Sequence, residues 1–163
     1  MIRHARKEDL PDILKIYNDA IINTTAVYTY DPKELEERLQ WFETKSIAEE
    51  PIWVYVKDHH VIGYATYGSF RDWPAYLYSI EHSIYVDPDY RGQGIASKLL
   101  EILIQDAKAK NYRTIVAGID ASNVGSIELH KKFNFTHAGT IKNVGYKFER
   151  WLDLAFYQLG LHQ

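Results

Sequence analysis

The sequence contains no cysteine among its 163 residues. Disulfide bonds, thiolate metal sites and a cysteine-linked acyl-enzyme are therefore excluded by composition. No apolar run approaches the roughly 18 residues of a membrane-spanning helix, so we expect no membrane partner. The first ten residues carry charges throughout and lack the apolar stretch of a secretory signal, which predicts a cytoplasmic protein.

An excess of positive charge is also missing. The formal net charge is -3, and nonspecific binding to nucleic acid needs a field of Lys and Arg, so we expect no nucleic-acid partner. The 46% hydrophobic and 25% charged residues are typical of a globular protein, and the length fits one domain over residues 1–163. The 13 Tyr and 4 Trp exceed the needs of one small core, which predicts a homodimer with aromatic residues in its interface.

Hydrophobic periodicity predicts the secondary structure. Helical spacing predicts helices over residues 10–21, 95–103 and 123–132, and Asp31-Pro32 predicts the N-cap and first residue of another helix. Runs of β-branched and aromatic residues predict strands over residues 2–5, 52–56, 61–68, 76–86, 114–120, 135–141 and 147–157. The order βααβββαβαββ predicts an α/β fold, in which helices flank both faces of a mixed, mostly antiparallel sheet.

The most informative segment is a glycine turn between a strand and a helix. The strand that ends near Val86 leads through Asp87-Pro88 into Arg91-Gly92-Gln93-Gly94, and a helix follows at once. Glycine amides can approach an anion closely, and the unpaired N–H groups at a helix start attract negative charge. Arg91 adds a fixed positive charge. The turn therefore predicts a phosphate site, although glycines after a strand often only turn the chain.

Two side chains have surroundings that suit acid–base chemistry. Glu81 lies within an apolar strand, where burial raises the pKa of a carboxyl group toward that of a useful base. The alternative is a Glu on the solvent face of an edge strand, with Ser83 and Tyr85 on the same side. His130 shares a helix face with Phe133, so its imidazole faces inward and is either a proton donor or an ordinary core residue.

The glycine turn resembles the signature of the GCN5-related N-acetyltransferases. Residues 91–96 match the Arg/Gln-x-x-Gly-x-Gly/Ala pattern of that superfamily, and residues 123–135 are similar to its second motif. The resemblance implies that the turn holds the pyrophosphate of acetyl-CoA and that the preceding strand binds its pantetheine. The cofactor-binding residues implied in this way are Ile84, Tyr85, Val86, Arg91, Gly92, Gln93, Gly94, Ile95, Ala96, Ser97, Asn123 and Lys132.

Further stretches resemble the phosphinothricin, methionine sulfoximine and methionine sulfone acetyltransferases. They are residues 16–20 with 23–26, residues 79–86 and residues 144–153. The resemblance implies direct, metal-free acetyl transfer to the α-amino group of a small amino acid analogue, with Glu81 as the general base. It implies His130 as the proton donor to the leaving thiolate. The alternatives are another amine, such as a polyamine, a peptide N-terminus or a lysine, and a CoA-binding module that does not catalyse.

The family also uses the loop around residues 70–74 for its substrate. Arg71 suits an acidic substrate because a guanidinium can bind two oxygens at once, although an Arg in a polar turn is usually just solvated. The expected substrate-binding residues are Arg71, Asp72, Trp73, Glu81, His82, Ser83 and Tyr28. Lys147 is a further candidate for the same pocket. The paired His59 and His60 are interpreted as exposed turn residues, because no partner ligand is near them in the sequence.

Overall fold

The structure is a computed structural model that describes residues 1–161. Its strands are β1 (Ile2–His4), β2 (Ile52–Lys57), β3 (His60–Ser69), β4 (Ser79–Val86), β5 (Thr114–Asp120), β6 (Thr136–Lys147) and β7 (Arg150–Gly160). Its α-helices are α1 (Leu10–Asn23), α2 (Leu35–Ile47), α3 (Ile95–Ala109) and α4 (Val124–Lys132). The order of elements confirms the predicted fold class. Within residues 1–161, no helix is both long enough and apolar enough to cross a membrane.

The seven strands form one sheet in the order β1-β2-β3-β4-β5-β7-β6. Every neighbouring pair is antiparallel except β4 and β5, which are parallel. The parallel pair arises because α3 connects the end of β4 to the start of β5. The carboxyl ends of these two strands therefore lie side by side near the middle of the sheet, which is where α/β folds commonly bind ligands.

Helices cover both faces of the sheet. On one face α3 buries Leu99 and Leu103 against a cluster that includes Ala65 of β3. On the other face α1 buries Ile13 in a second cluster with Tyr64. Each fully buried aliphatic side chain contributes roughly 1.5–3 kcal/mol of transfer free energy, so the two clusters fix β3 and β4 between two helical layers. Side chains that alternate along β4 therefore face two different surroundings.

Helix α2 begins later than the sequence predicts. The predicted start was residues 31–32, whereas the helix begins at Leu35 with an extended Glu34 as its N-cap. Asn18 explains the delay, because its side-chain amide donates to the carbonyl of Lys33 at 2.9 Å and accepts from the Lys33 N–H at 2.7 Å. Both backbone groups of that residue are thus bonded outside a helix, so the prediction from proline position was wrong.

Strand boundaries also differ from the prediction. Strand β4 begins at Ser79 rather than at residue 76, because Pro74 opens a short 3₁₀ turn. Strand β6 extends to Lys147 rather than to residue 141, and β7 begins three residues later than predicted, at Arg150. The two strands meet at a turn formed by Phe148 and Glu149, whose φ angles are 54° and 59°. Two left-handed residues give the type I′ geometry that suits a hairpin. Because neither residue is Asn, Asp or Gly, the sequence carries no signal for this turn.

Candidate active site

Strands β4 and β5 pair over only three residues and then separate. Pairing covers residues 79–81 of β4 and 114–116 of β5. Strand β4 continues to Val86 along β3, and β5 continues to Asp120 along β7, so each keeps only its outer partner. The gap opens into a cleft of about 930 Å³. Its free strand edges can form strand-like hydrogen bonds with an extended ligand.

The glycine turn lies at the mouth of this cleft. Gly92 and Gly94 both have a φ of 76°, a left-handed conformation that glycine adopts without strain. A β-carbon at either position would meet no atom within 4 Å, so the space next to the backbone of both glycines is free for a ligand. Helix α3 begins at Ile95 without a side-chain cap and without an acidic residue in its first turn, which leaves the first amides unbonded. With the Arg91 guanidinium beside it, the turn suits a diphosphate.

The structure brings most of the predicted cofactor residues to the cleft. Those that line it are Ile84, Tyr85, Val86, Arg91, Gly92, Ala96 and Asn123. Those outside its lining are Gln93, Gly94, Ile95, Ser97 and Lys132. Asn123 is the N-cap of α4, because its Oδ1 accepts from the Ser126 N–H at 3.1 Å. Lys132 is exposed at the other end of α4.

Glu81 is the last residue of β4 that pairs with β5. Its side chain lies across Gly118, where a β-carbon would be 3.1 Å from Oε2. Burial raises the pKa of the Glu81 carboxyl group, although the positive charge of Arg71 opposes that change. Because β4 is the central strand of the sheet, the alternative of a Glu on an edge strand was wrong. A half-buried carboxylate with a raised pKa, in a cleft, is suited to accept a proton.

His82 and His130 form a buried pair on the other face of β4. Their Nε2 atoms are 3.0 Å apart and their rings are stacked with an angle of 15° between the planes. Nδ1 of His130 lies 2.7 Å from the carbonyl oxygen of Ser126, which can only accept, so this nitrogen carries the proton. Nε2 of a neutral His130 is then an acceptor, and the His82 Nε2–H donates to it.

Both rings are neutral at pH 7. Burial and, to a smaller extent, the neighbouring His130 lower the pKa of His82 to about 3. Burial also lowers the pKa of His130, against the opposing hydrogen bond to Ser126. The remaining nitrogen of His82, Nδ1, is buried without a hydrogen-bond partner among residues 1–161. The pair thus has one fixed set of tautomers, and adding a proton to it requires rearranging the bond between the rings.

The predicted substrate loop lies outside the cleft. Arg71, Asp72 and Trp73 are exposed and are not part of the cleft lining. The Arg71 guanidinium donates to the backbone carbonyl of Phe70 at 2.8 Å and lies 4.3 Å from the centroid of the Phe70 ring. The predicted substrate residues that do line the cleft are Tyr28, Glu81, His82 and Ser83. Four of the seven expected substrate residues thus line the cleft, and the charge of Arg71 still reaches the Glu81 carboxyl group from the loop outside it.

Tyr28 and Lys147 fix the loop that follows α1. The Tyr28 ring packs so closely on Gly145 that a β-carbon there would lie 2.8 Å from it. Lys147 is buried, and its Nζ donates to the carbonyl of Val27 at 2.7 Å. Tyr28 lines the cleft, whereas Lys147 does not. The structure thus brings Tyr28 to the cleft, whereas the Lys147 ammonium binds a backbone carbonyl in the loop.

Asp120 is a cleft residue that the sequence does not reveal. It is buried at the end of β5 and accepts hydrogen bonds from the Thr25 hydroxyl and, at 2.9 Å each, from the amide and hydroxyl of Ser122. Arg150 lies 3.7 Å away. Burial opposes ionisation, but these contacts outweigh it and keep the pKa of Asp120 below its ordinary value. Thr25 is 95 positions away along the chain, so no motif spacing could connect the two residues.

Comparison with known proteins agrees with this geometry. Residues 10–135 match the acetyltransferase (GNAT) family model. The chain belongs to the GNAT family. An L-methionine sulfoximine/L-methionine sulfone acetyltransferase from Pseudomonas aeruginosa is 44% identical to this GNAT chain over 161 residues, which cover 98% of this chain and 94% of the relative.

Two solved GNAT structures are similar over nearly the whole chain. An N-acetyltransferase from Staphylococcus aureus Mu50 is 68% identical, with a TM-score of 0.99 and coverage of 99% of this chain and 98% of the other. A phosphinothricin acetyltransferase from Sinorhizobium meliloti, in complex with acetyl-CoA, is 36% identical, with a TM-score of 0.96 and coverage of 99% and 88%. The chain is thus a GNAT N-acetyltransferase, which confirms the resemblance found in the sequence.

Proposed function

We propose that this N-acetyltransferase transfers the acetyl group of acetyl-CoA directly to the α-amino group of a small amino acid analogue. The acceptor class is that of methionine sulfoximine, methionine sulfone and phosphinothricin, the compounds named in similar proteins. One observation carries the proposal. The Glu81 carboxylate is half-buried at the point where the open cleft meets the paired strands, so a group bound along the free edge of β4 ends beside a base.

The residues of the cleft fit acetyl-CoA. The amides around Gly92 and Gly94 would hold the diphosphate, with the Arg91 guanidinium adding positive charge. The free edge of residues 84–86 would bind the pantetheine amides through the backbone. Bound in this way, acetyl-CoA supplies an activated acetyl group as a thioester. The turn and the strand edge together determine where the carbonyl carbon lies relative to Glu81.

Glu81 is proposed as the base that removes a proton from the acceptor amine, directly or through one water. The nitrogen lone pair forms the new C–N bond, the C–S bond breaks, and its electron pair remains on sulfur. A raised pKa makes the carboxylate a stronger base than an exposed Glu. Because Gly118 has no side chain, Glu81 Oε2 can lie across β5 at the cleft.

His130 is proposed to take part in returning a proton to the thiolate, as the resemblance implies. In its resting state the ring gives its only N–H to Ser126 and accepts from His82 at Nε2. Donation to sulfur therefore requires a proton to reach Nε2 and the His82 ring to change its tautomer. His130 would therefore take a proton at Nε2, become an imidazolium for that step and give the same proton to the thiolate, while His82 carries its own proton on Nδ1.

The acceptor assignment is tested by measuring CoA release with a panel of amines. We expect turnover with methionine sulfone, methionine sulfoximine or phosphinothricin, and slower turnover with spermidine and with a peptide that has a free N-terminus. Activity on spermidine or the peptide alone would overturn the acceptor class but leave the acetyl transfer standing. If no amine leads to CoA release while acetyl-CoA still raises the melting temperature, the protein would instead be a CoA-binding module that does not catalyse.

A further inference from the structure

Strand β5 presents alternate side chains to the two sides of the sheet. Ile115, Ala117 and Ile119 belong to the hydrophobic cluster that α3 covers. The residues between them, which include Gly118 and Asp120, therefore face the other side of the sheet, where α1 packs. Gly118 and Asp120 both line the cleft. The buried carboxylate of Asp120 thus lies at the cleft on the α1 side.

The proposed base lies on the same side of the sheet. Glu81 Oε2 is 3.1 Å from the place that a β-carbon on Gly118 would take, so the carboxylate lies over the face of β5 that also carries Asp120. An acceptor amine that gives its proton to Glu81 must therefore reach the cleft from the α1 side. The glycine turn, by contrast, leads into α3, which packs on the opposite side. The α1 side of the cleft is thus the one that meets the acceptor.

The connection between α1 and α2, residues 24–34, forms a wall of the cleft on this side. Its cleft-lining residues are Thr24, Thr25, Ala26 and Tyr28. The far part of this α1–α2 connection is tied to the last hairpin, because the Lys147 Nζ donates to the carbonyl of Val27 at 2.7 Å and the Tyr30 hydroxyl donates to the carbonyl of Tyr146. The near part is tied across the cleft by the Thr25 hydroxyl, which donates to Asp120. The wall is therefore held in place at both ends.

Asp120 joins this wall to two other segments of the cleft. Its Oδ2 accepts from the Thr25 hydroxyl and lies 3.7 Å from an Nη of Arg150, the first residue of β7. Its Oδ1 accepts from the amide and the hydroxyl of Ser122, in the turn between β5 and α4. Thr25, Ser122 and Arg150 all line the cleft. Since both oxygens are engaged by the protein, the carboxylate organises the cleft lining and does not itself bind a ligand.

We propose that Asp120 is a positioning residue for the acceptor, and that it acts through Thr25 by fixing the α1–α2 connection opposite Glu81. The inference rests on the proposed function, since it concerns the amine that Glu81 deprotonates. Tyr28 comes shortly after Thr25, lines the cleft and packs on Gly145, so its ring is the part of the wall whose place depends on this contact. Without the contact, the wall is free to move away from the acceptor, which then binds more weakly.

The decisive variants are Thr25→Val and its matched control, Thr25→Ser. Valine keeps the branched shape of threonine without the hydroxyl, whereas serine keeps the hydroxyl. We expect Thr25→Val to raise KM for methionine sulfone roughly tenfold, which is the scale of a lost hydrogen bond to a charged group, and to leave the Kd of acetyl-CoA unchanged. Thr25→Ser should keep the KM of the wild type. Asp120→Asn should also raise KM, because it retains an oxygen for Ser122 and removes the charge beside Arg150.

The test measures CoA release with methionine sulfone as the varied substrate, acetyl-CoA binding by calorimetry and stability by urea unfolding. In the double variant Thr25→Val/Asp120→Asn, KM should rise no further than in the stronger single variant, because both changes break the same contact.

Three results would overturn the positioning role while the proposed function stands. An unchanged acceptor KM in Thr25→Val, with or without a loss of stability, would make the contact purely structural. An equal rise of KM in Thr25→Ser would assign the effect to the lost methyl group. Weaker acetyl-CoA binding in Thr25→Val would place the contact on the cofactor side. If the wild type acetylates no amino acid analogue, the proposed function itself fails, and the positioning role fails with it.

Discussion

Gly118 determines where the Glu81 carboxylate can lie, and Gly118→Ala perturbs that position without touching Glu81 itself. The added β-carbon would be 3.1 Å from Oε2, and its next neighbours are ordinary contacts, with Leu154 Cδ1 at 3.5 Å and Phe156 Cε1 at 3.7 Å. The carboxylate must therefore move by a few tenths of an ångström. The backbone at Gly118 does not have a left-handed φ, so alanine introduces no strain there.

The size of the effect follows from the sensitivity of catalysis to placement. A displacement of about 1 Å can cost on the order of 10²-fold in rate, so a shift of a few tenths costs roughly fourfold to tenfold in kcat. Stability should change in the opposite direction, because replacing glycine by alanine within a strand gains roughly 0.5–1 kcal/mol. A slower but more stable enzyme is the expected result for Gly118→Ala.

The assay is CoA release at saturating substrates, with urea unfolding as the measure of stability. Combining Gly118→Ala with Glu81→Gln provides the control, because the alanine should have little further effect once the carboxylate is gone. Full activity in the single variant would refute the reasoning that Gly118 positions the base. So would an equal loss in the Glu81→Gln background, since the alanine would then act on some other part of the site.

Three further predictions concern other parts of the molecule. Below about pH 6.5, His82 of the unfolded chain takes up a proton, whereas the folded His82, with its pKa of about 3, does not. The free energy of unfolding should therefore decrease by up to ~1.4 kcal/mol for each unit by which the pH is lowered from 6.5 toward 3. His82→Gln should flatten that slope in urea unfolding at pH 4.5 to 6, and an unchanged slope would contradict the neutral pair. Gly94→Ala should cost about 1 kcal/mol in stability and weaken acetyl-CoA binding in calorimetry, because φ is 76° there; unaltered values of both would show that the left-handed turn is not required. We propose a homodimer that uses the exposed Tyr146 and Trp151 of the last hairpin, so light scattering should give twice the chain mass and Trp151→Glu should halve it, whereas a wild-type monomer would contradict the proposal.

The order of elements could be predicted because each helix and strand carries its own period. The left-handed turn at Phe148 and Glu149 could not, because its residues are not typical turn formers and the sheet dictates their conformation. The late start of α2 depends on Asn18 bonding to a residue 15 positions away. Boundaries that are fixed by contacts between distant residues therefore lie outside what local spacing can indicate.

The same distinction applies to the candidate site. The glycine turn and Glu81 are in continuous segments with a recognisable pattern, and the structure places both on one cleft. The surroundings of Asp120 are assembled from residues on separate elements, so no sequence motif indicates them. Arg71 illustrates the reverse case, since a suitable side chain in a suitable loop lies outside the cleft lining.

The turnover of Glu81→Gln tests the central claim most directly. The substitution keeps the size of the side chain and removes its ability to take a proton, so CoA release with methionine sulfone should fall by roughly 10²-fold or more. Acetyl-CoA should still raise the melting temperature of the variant as it does that of the wild type, because the glycine turn is unchanged. Wild-type turnover in Glu81→Gln, at any pH, would show that the amine loses its proton elsewhere.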